Sequence, residues 1–244
     1  MPSTTSKTQA ARDGFVTYDE LAGPNLDAAR WSPLRLPLPA GGEHVALDPN
    51  AELAVGEGEL RVTIPRFSLA HSAKYVILST GQFELPPDRP ATFAVEMAVQ
   101  NIGGEPADYR RGMAAFHVFD PAVSKRVFAV VGTSTRVFAM HEQVAPAAGG
   151  AGELFYHVVE SPYEDFDDDF GRLRTGEITL DRGGSTATWR VDGHKLYEAR
   201  TLIPERVAIG FGIWTMLPQR DGRSLDGQGL NARWRRPRVR GVDA

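Results

Sequence analysis

Three histidines lie in alternating, strand-like segments: His117, His141 and His157. An imidazole can exchange a proton near neutral pH or offer a ring nitrogen to a ligand. In Ala114-Ala-Phe-His-Val118, alternation puts Ala114, Phe116 and Val118 on one side, and Met113, Ala115, His117 and Phe119 on the other. With the first set in the core, His117 and Met113 face outward onto a groove. Glu96 and Gln100 share the non-core face of Thr92–Gln100, opposite Phe93, Val95, Met97 and Val99. A carboxylate beside an imidazole raises its basicity. His117 with Glu96 across neighbouring strands is therefore the expected catalytic pair. His141 and Glu142 are adjacent, so they point to opposite faces and cannot both enter one groove. The alternatives are a histidine packed on a sheet with one satisfied hydrogen bond, and a solvated glutamate.

Aromatic platforms come next. Gly210 and Gly212 alternate with Phe211 and Ile213, which places Trp214 and Met216 on the glycine face. Glycines within a strand mark a close approach of a ligand or of another backbone. A tryptophan at the rim of such a floor can stack a sugar ring or a flat polycyclic molecule; the competing account is sheet packing over the glycines. Tyr156 is a second candidate platform, and His141, His157, Gln100 and Met113 complete the expected binding set. Glu96, His117 and Trp214 are expected to line one concavity.

Asp165, Asp167 and Asp169 alternate in an acidic run, a density of oxygens that suits calcium. An EF-hand requires Gly at loop position six and Glu at twelve, where this chain has Phe170 and Gly176. That leaves a looser calcium site or a solvated acidic loop. The Arg233–Arg240 segment holds five arginines, readable as a phosphate site or as the outer face of a terminal strand. Without cysteine, a transition-metal site would need several converging histidines, so none is expected.

The elements that must position these residues are strands. Short apolar runs alternate with Pro/Gly/Asp clusters, among them Glu59–Ile64, Tyr75–Ser79, Thr92–Asn101, Gly112–Phe119, Arg126–Gly132, Arg136–Glu142, Leu154–Glu160, Thr175–Leu180, Thr186–Val191 and Val207–Trp214. Asp181-Arg-Gly-Gly184 and Val191-Asp-Gly-His194 read as hairpin turns. Short helices are expected only near Leu26–Trp31 and Glu164–Asp169. About a dozen strands without helical crossovers imply an all-β, two-sheet antiparallel sandwich. Residues 1–13 read as a disordered tail and 14–244 as one β-sandwich domain, with 145–152 a flexible loop inside it.

The chain has 244 residues, 27 basic and 31 acidic side chains and no cysteine, with a net charge of -4. Zero cysteine excludes disulfides, thiolate metal sites and cysteine nucleophiles. The acidic balance argues against a nucleic-acid partner, and no apolar run is long enough to span a membrane as a helix. The first dozen residues lack the apolar middle of a signal peptide, so a cytoplasmic location is expected, with a secreted chain whose signal has been removed as the alternative. There is no Gly-rich nucleotide fingerprint, so no cofactor is expected.

Ala187-Thr-Trp-Arg-Val-Asp-Gly193 resembles a strand–turn of laminarinase-type glycoside hydrolases and laminin-G-like lectins. Trp31, Gly58-Glu-Leu-Arg-Val62 and Gln82-Phe-Glu-Leu-Pro86 fit the same pattern in order. Together they resemble a concanavalin A-like jelly roll across most of residues 14–240. Gly210–Met216, Ser224-Leu-Asp-Gly-Gln-Gly-Leu230 and Ala232-Arg-Trp234 resemble an uncharacterised bacterial family of that fold. The hydrolases carry E-x-D-x-x-E, whose glutamates act as nucleophile and acid/base. The nearest string here, Glu164-Asp-Phe-Asp167, departs from it, so the resemblance implies the fold without the chemistry. Three functions follow as expectations. The first is a protein binding a small organic molecule, extending to a cofactor-free cyclase, isomerase or lyase of bacterial specialised metabolism. The second is a lectin-like carbohydrate-binding module. The third is a glycoside hydrolase with a non-standard carboxylate pair.

Overall fold

The structure is a computed structural model that describes residues 14–38, 41–68, 72–121, 125–144, 154–162, 169–216, 219–220, 223–224 and 227–242. These residues form strands and turns, with no helix among them. Among the described residues, two eight-stranded antiparallel sheets pack face to face as a jelly-roll sandwich. The first sheet runs His194–Arg200, Thr186–Val191, Arg174–Asp181, Ala91–Ile102, Gly229–Arg240, Glu59–Ile64, Glu52–Gly56, with Val16–Thr17 added beside Gly229–Arg240. The second runs Phe155–Glu160, Val137–Gln143, Arg126–Gly132, Met113–Phe119, Arg206–Trp214, Ala73–Ser79, Trp31–Pro33, and Phe83–Glu84 pairs the start of Arg206–Trp214.

Alternation builds the core. Phe93, Val95, Met97 and Val99 point from the first sheet toward Ala114, Phe116, Val118, Phe211 and Ile213 of the second, all in one buried cluster. Phe211 stacks on Trp234 with centroids 5.4 Å apart and on Trp31 at 4.9 Å. Trp189, from the strand–turn motif, is fully buried and lies 6.0 Å from Phe128. The turn after it needs two left-handed residues, which Asp192 (φ 49°) and Gly193 (φ 80°) supply.

The two sheets differ on their outer faces. Thr186–Val191 alternates buried and half-buried residues, as expected of a sheet with one wet face. Arg126–Gly132 is buried from Val127 through Gly132, because the second sheet has apolar side chains on both faces. That second apolar face is where a pocket forms.

Two sequence expectations concern helices. Leu26–Trp31 is a turn and not a helix: Ala29 N donates to Asp27 Oδ1 at 2.9 Å, and Trp31 N to the Asp27 carbonyl at 2.9 Å. The chain then extends into Trp31–Pro33, where Pro33 and Pro37 oppose helical continuation. The expected helix at Glu164–Asp169, the tail 1–13 and the loop 145–152 lie outside the described residues, apart from Asp169.

Candidate functional site

The outer face of the second sheet carries a pocket of about 390 Å³, within the size range of small-molecule sites. Its floor is the strand Met113–Phe119 with its neighbours: Met113, Ala115, Val131 and Met140 are buried and apolar, and Val76 and Leu78 continue that floor to one side. Its polar groups are few. His117, Glu142, Tyr156, the Trp214 indole and Ser72 are the polar side chains of the lining.

His117 sits at the centre and is 6% exposed. Trp214 Nε1 donates to His117 Nε2 at 3.1 Å, so the ring carries its proton on Nδ1. The rings meet edge to face at 5.7 Å. Gly212 makes this possible, because a Cβ there would stand 2.5 Å from Trp214 Nε1 and 2.6 Å from His117 Cε1. Burial pushes the His117 pKa down to about 4, with the Gly210 backbone opposing, so the ring is neutral at physiological pH. Nδ1 is buried as well. His117 therefore shapes and rigidifies the floor, with neither nitrogen presented to the pocket.

Glu142 enters the pocket from Val137–Gln143, and its neighbour His141 turns into the sandwich. Its carboxyl has no hydrogen bond or ion pair with the described residues, and burial pushes its pKa up to about 7. Tyr156 stands directly opposite on the adjacent strand, which brings the two Cβ atoms to about 5 Å. Burial raises the Tyr156 pKa, with Tyr109 and Glu142 adding to it, so the phenol stays protonated. Its Oη donates to Met216 Sδ at 3.2 Å. Four strand spacings separate the strands of Tyr156 and Trp214, about 19 Å if flat. The sheet therefore curls, and Tyr156 and Met216 meet above it to close one side of the pocket. The far end of this closure is held by Met216 N donating to the Arg110 carbonyl at 2.7 Å.

The remaining expected residues are scattered. Glu96 and Gln100 lie on the first sheet and point away from the second. Arg236 Nη1 donates to Glu96 Oε1 at 3.0 Å, and Asn231 Nδ2 to Gln100 Oε1 at 2.9 Å. Both sheets have outward faces, so residues can be outward on their strands and still be separated by the whole sandwich. The expected pair of His117 with Glu96 is thus not formed, and the expected concavity keeps His117 and Trp214 without Glu96. His141 is 4% exposed, stacked on Phe128 at 5.1 Å, with Nε2 3.3 Å from Thr201 Oγ1. His157 pairs with His141 and lies at the sandwich edge, 5.2 Å from Phe155, outside the pocket. Met113, Tyr156 and Trp214 are in the pocket. Asp165 and Asp167 lie outside the described residues; the Asp169 carboxylate accepts from Gly171 N at 2.8 Å. Among the described residues, no group of three or more His, Asp or Glu could hold a metal ion.

Glu142 occupies the place in the pocket that was expected of His141. Val137/Ala139/His141 and Phe138/Met140/Glu142 are equally apolar sets, so neither is marked as inward. Two other carboxylates on the described strands of this face are paired: Glu160 with Arg136 at 3.3 Å and Glu84 with Arg206 at 2.6 Å. Glu160 stands opposite Phe138, four residues from Glu142 along the strand, about 13 Å away. Retaining glycosidases need a pair near 5 Å and inverting ones below about 10 Å.

Solved structures with this fold include the endo-1,3-β-glucanase from Streptomyces sioyaensis, 12% identical over 98% of this chain and 99% of that one, with a TM-score of 0.58. LamA from Z. galactanivorans, in complex with laminaritriose and laminaritetraose, is 10% identical over 95% and 99%, with a TM-score of 0.60. A lichenase from a mouse hindgut metagenome is 14% identical over 93% and 98%, with a TM-score of 0.57. At these identities the likeness is one of fold. No curated protein matches the sequence. Residues 18–243 match DUF6081, a family of unknown function, and the chain belongs to that family.

Proposed function

We propose that this protein binds a small, predominantly apolar organic molecule in the pocket on the outer face of its second sheet, and that it acts on that molecule by acid/base chemistry. The observation that carries the reading is the lining: one continuous apolar floor with a few polar groups gathered around it. Burial of a ligand's apolar surface there is favourable by about 25 cal/mol per Å². A sugar would leave its hydroxyls facing Met113, Val131 and Met140 without partners, at a cost of about 1–3 kcal/mol for each group. The fold's kinship with glucanases keeps oligosaccharide as the contrasting ligand.

Trp214 is the tryptophan that lines the pocket, and Trp31, Trp189 and Trp234 lie in the core between the sheets. Titration with Nile red, an uncharged polarity-sensitive dye, should give saturable binding with a blue-shifted, enhanced dye emission and energy transfer from the tryptophans. Ala115→Phe, which fills the floor, should weaken it at least about tenfold. Laminaritriose should leave Trp214 emission unchanged. Saturable quenching by laminaritriose with no Nile red binding would overturn the reading in favour of a carbohydrate module.

A further inference from the structure

Glu142 and Tyr156 face each other at the pocket wall, and neither is engaged by a charged partner among the described residues. The Glu142 carboxyl is unpaired among the described residues, and the Tyr156 hydroxyl is shared between the Tyr109 side chain and a thioether, Met216 Sδ, a weak acceptor. An oxygen of a bound ligand, carrying developing negative charge, is a better acceptor for that proton than a neutral phenol or a thioether. No other carboxylate on the described strands of this face is free of an arginine. His117, the other titratable group of the lining, has its Nε2 occupied by Trp214.

We propose that Glu142 and Tyr156 form a proton-transfer dyad acting on a small cyclic ketone or enone bound in this pocket. This rests on the pocket being a small-molecule site, as proposed above. The Glu142 carboxylate takes a proton from the carbon next to the carbonyl. The C–H bond breaks, an O–H bond forms on Glu142, and the electron pair moves to the carbonyl oxygen as an enolate. The Tyr156 Oη–H donates to that oxygen, stabilising charge where it develops. Glu142 then returns the proton to the same carbon, or to the far end of a conjugated system, which shifts a double bond. Every atom and electron is accounted for within substrate and dyad. Burial supports the division of roles, holding the carboxyl poised near neutrality as a base while the phenol remains a donor.

The test uses 2-tetralone, an apolar ring ketone, in deuterated buffer at concentrations that displace Nile red. Proton NMR follows loss of the signal between the carbonyl and the aromatic ring. The full chain should accelerate exchange over buffer. Glu142→Gln should lower the enzymatic rate by about 10²–10⁴, the usual share of a positioned acid or base. Tyr156→Phe should lower it at least about tenfold through loss of the enolate donor. Both variants should still bind Nile red, and Glu142→Asp should recover part of the rate. Exchange in Glu142→Gln equal to wild type, or none above buffer in wild type while the dye is displaced, would overturn the dyad and leave the pocket reading intact. Absence of Nile red binding in wild type would overturn both.

Discussion

Replacing Glu142 with Gln should raise stability in alkaline solution and leave it almost unchanged in acid. Unfolded, the carboxyl titrates near its ordinary value of 4.5; folded, burial moves it up to about 7. Between those values the native state holds a proton that the unfolded state has released, so stability falls as pH rises through the window. Above about 7 both states are ionised, and the cost of the buried anion is fully present. A shift of this size corresponds to an upper limit of about 3 kcal/mol. The groups around the carboxyl do not offset it. Tyr156 stays neutral, His117 is neutral and bonded to Trp214, and Lys125 is engaged by the Pro121 carbonyl. Gln has the same shape and no charge. Each kcal/mol moves the melting temperature of a chain this size by about 2–4 °C, so Glu142→Gln should melt up to about 10 °C above wild type at pH 8.5. At pH 4.5 the two should coincide. Circular dichroism melts of both proteins at both pH values make the comparison, and effects common to both chains cancel. A difference that is the same at pH 4.5 and 8.5, or a wild type more stable at pH 8.5, would show that the carboxyl is not desolvated and would remove the basis for its poise.

Gly212→Ala should cost about 1–3 kcal/mol, the range for overpacking, because its Cβ would stand 2.5 Å from the Trp214 Nε1 that bonds His117. Urea unfolding gives the loss, and a shift in Trp214 emission should accompany it. His117 and His141 are both held to about 4 by burial, with Arg126 and His157 adding to the effect at His141. Their unfolded rings titrate near 6.5, so stability should be full above that pH and fall as pH drops toward 4, by on the order of 3 kcal/mol per ring. Urea midpoints of His141→Gln should decline less steeply from pH 7 to pH 4.5 than those of wild type, the opposing gain at Glu142 being common to both; parallel profiles would contradict the buried, neutral ring.

The strands were legible because their side chains alternate and their turns are chemically marked. Thr92–Asn101 and Gly112–Phe119 lie within one residue of the observed Ala91–Ile102 and Met113–Phe119. The inward sets Phe93/Val95/Met97 and Ala114/Phe116/Val118 are also as alternation has them. Alternation separates inside from outside along one strand, yet it is silent about which sheet the strand joins. Glu96 was lost to the site for that reason: its strand pairs with Arg174–Asp181, about eighty residues away, and with Gly229–Arg240, farther still. Glu142 escaped for a different reason. A sheet that is apolar on both faces erases the period of two from which facing is read, and only the packed structure decides between His141 and its neighbour.

The place of Gly229–Arg240 in the first sheet bears on how the molecule comes into being. This strand lies between Ala91–Ile102 and Glu59–Ile64 and bonds to both, yet it is translated after every other strand of that sheet. Until it leaves the ribosome, the nascent chain holds two half-sheets with bare hydrogen-bonding edges facing an empty slot. Such edges are templates for pairing with other chains. Closing the slot joins segments more than a hundred residues apart, the kind of contact that makes β proteins slow to fold. The first sheet is therefore completed by a single late insertion of its last-made strand, and the interval before that insertion is when its edges are most open to aggregation and to chaperones.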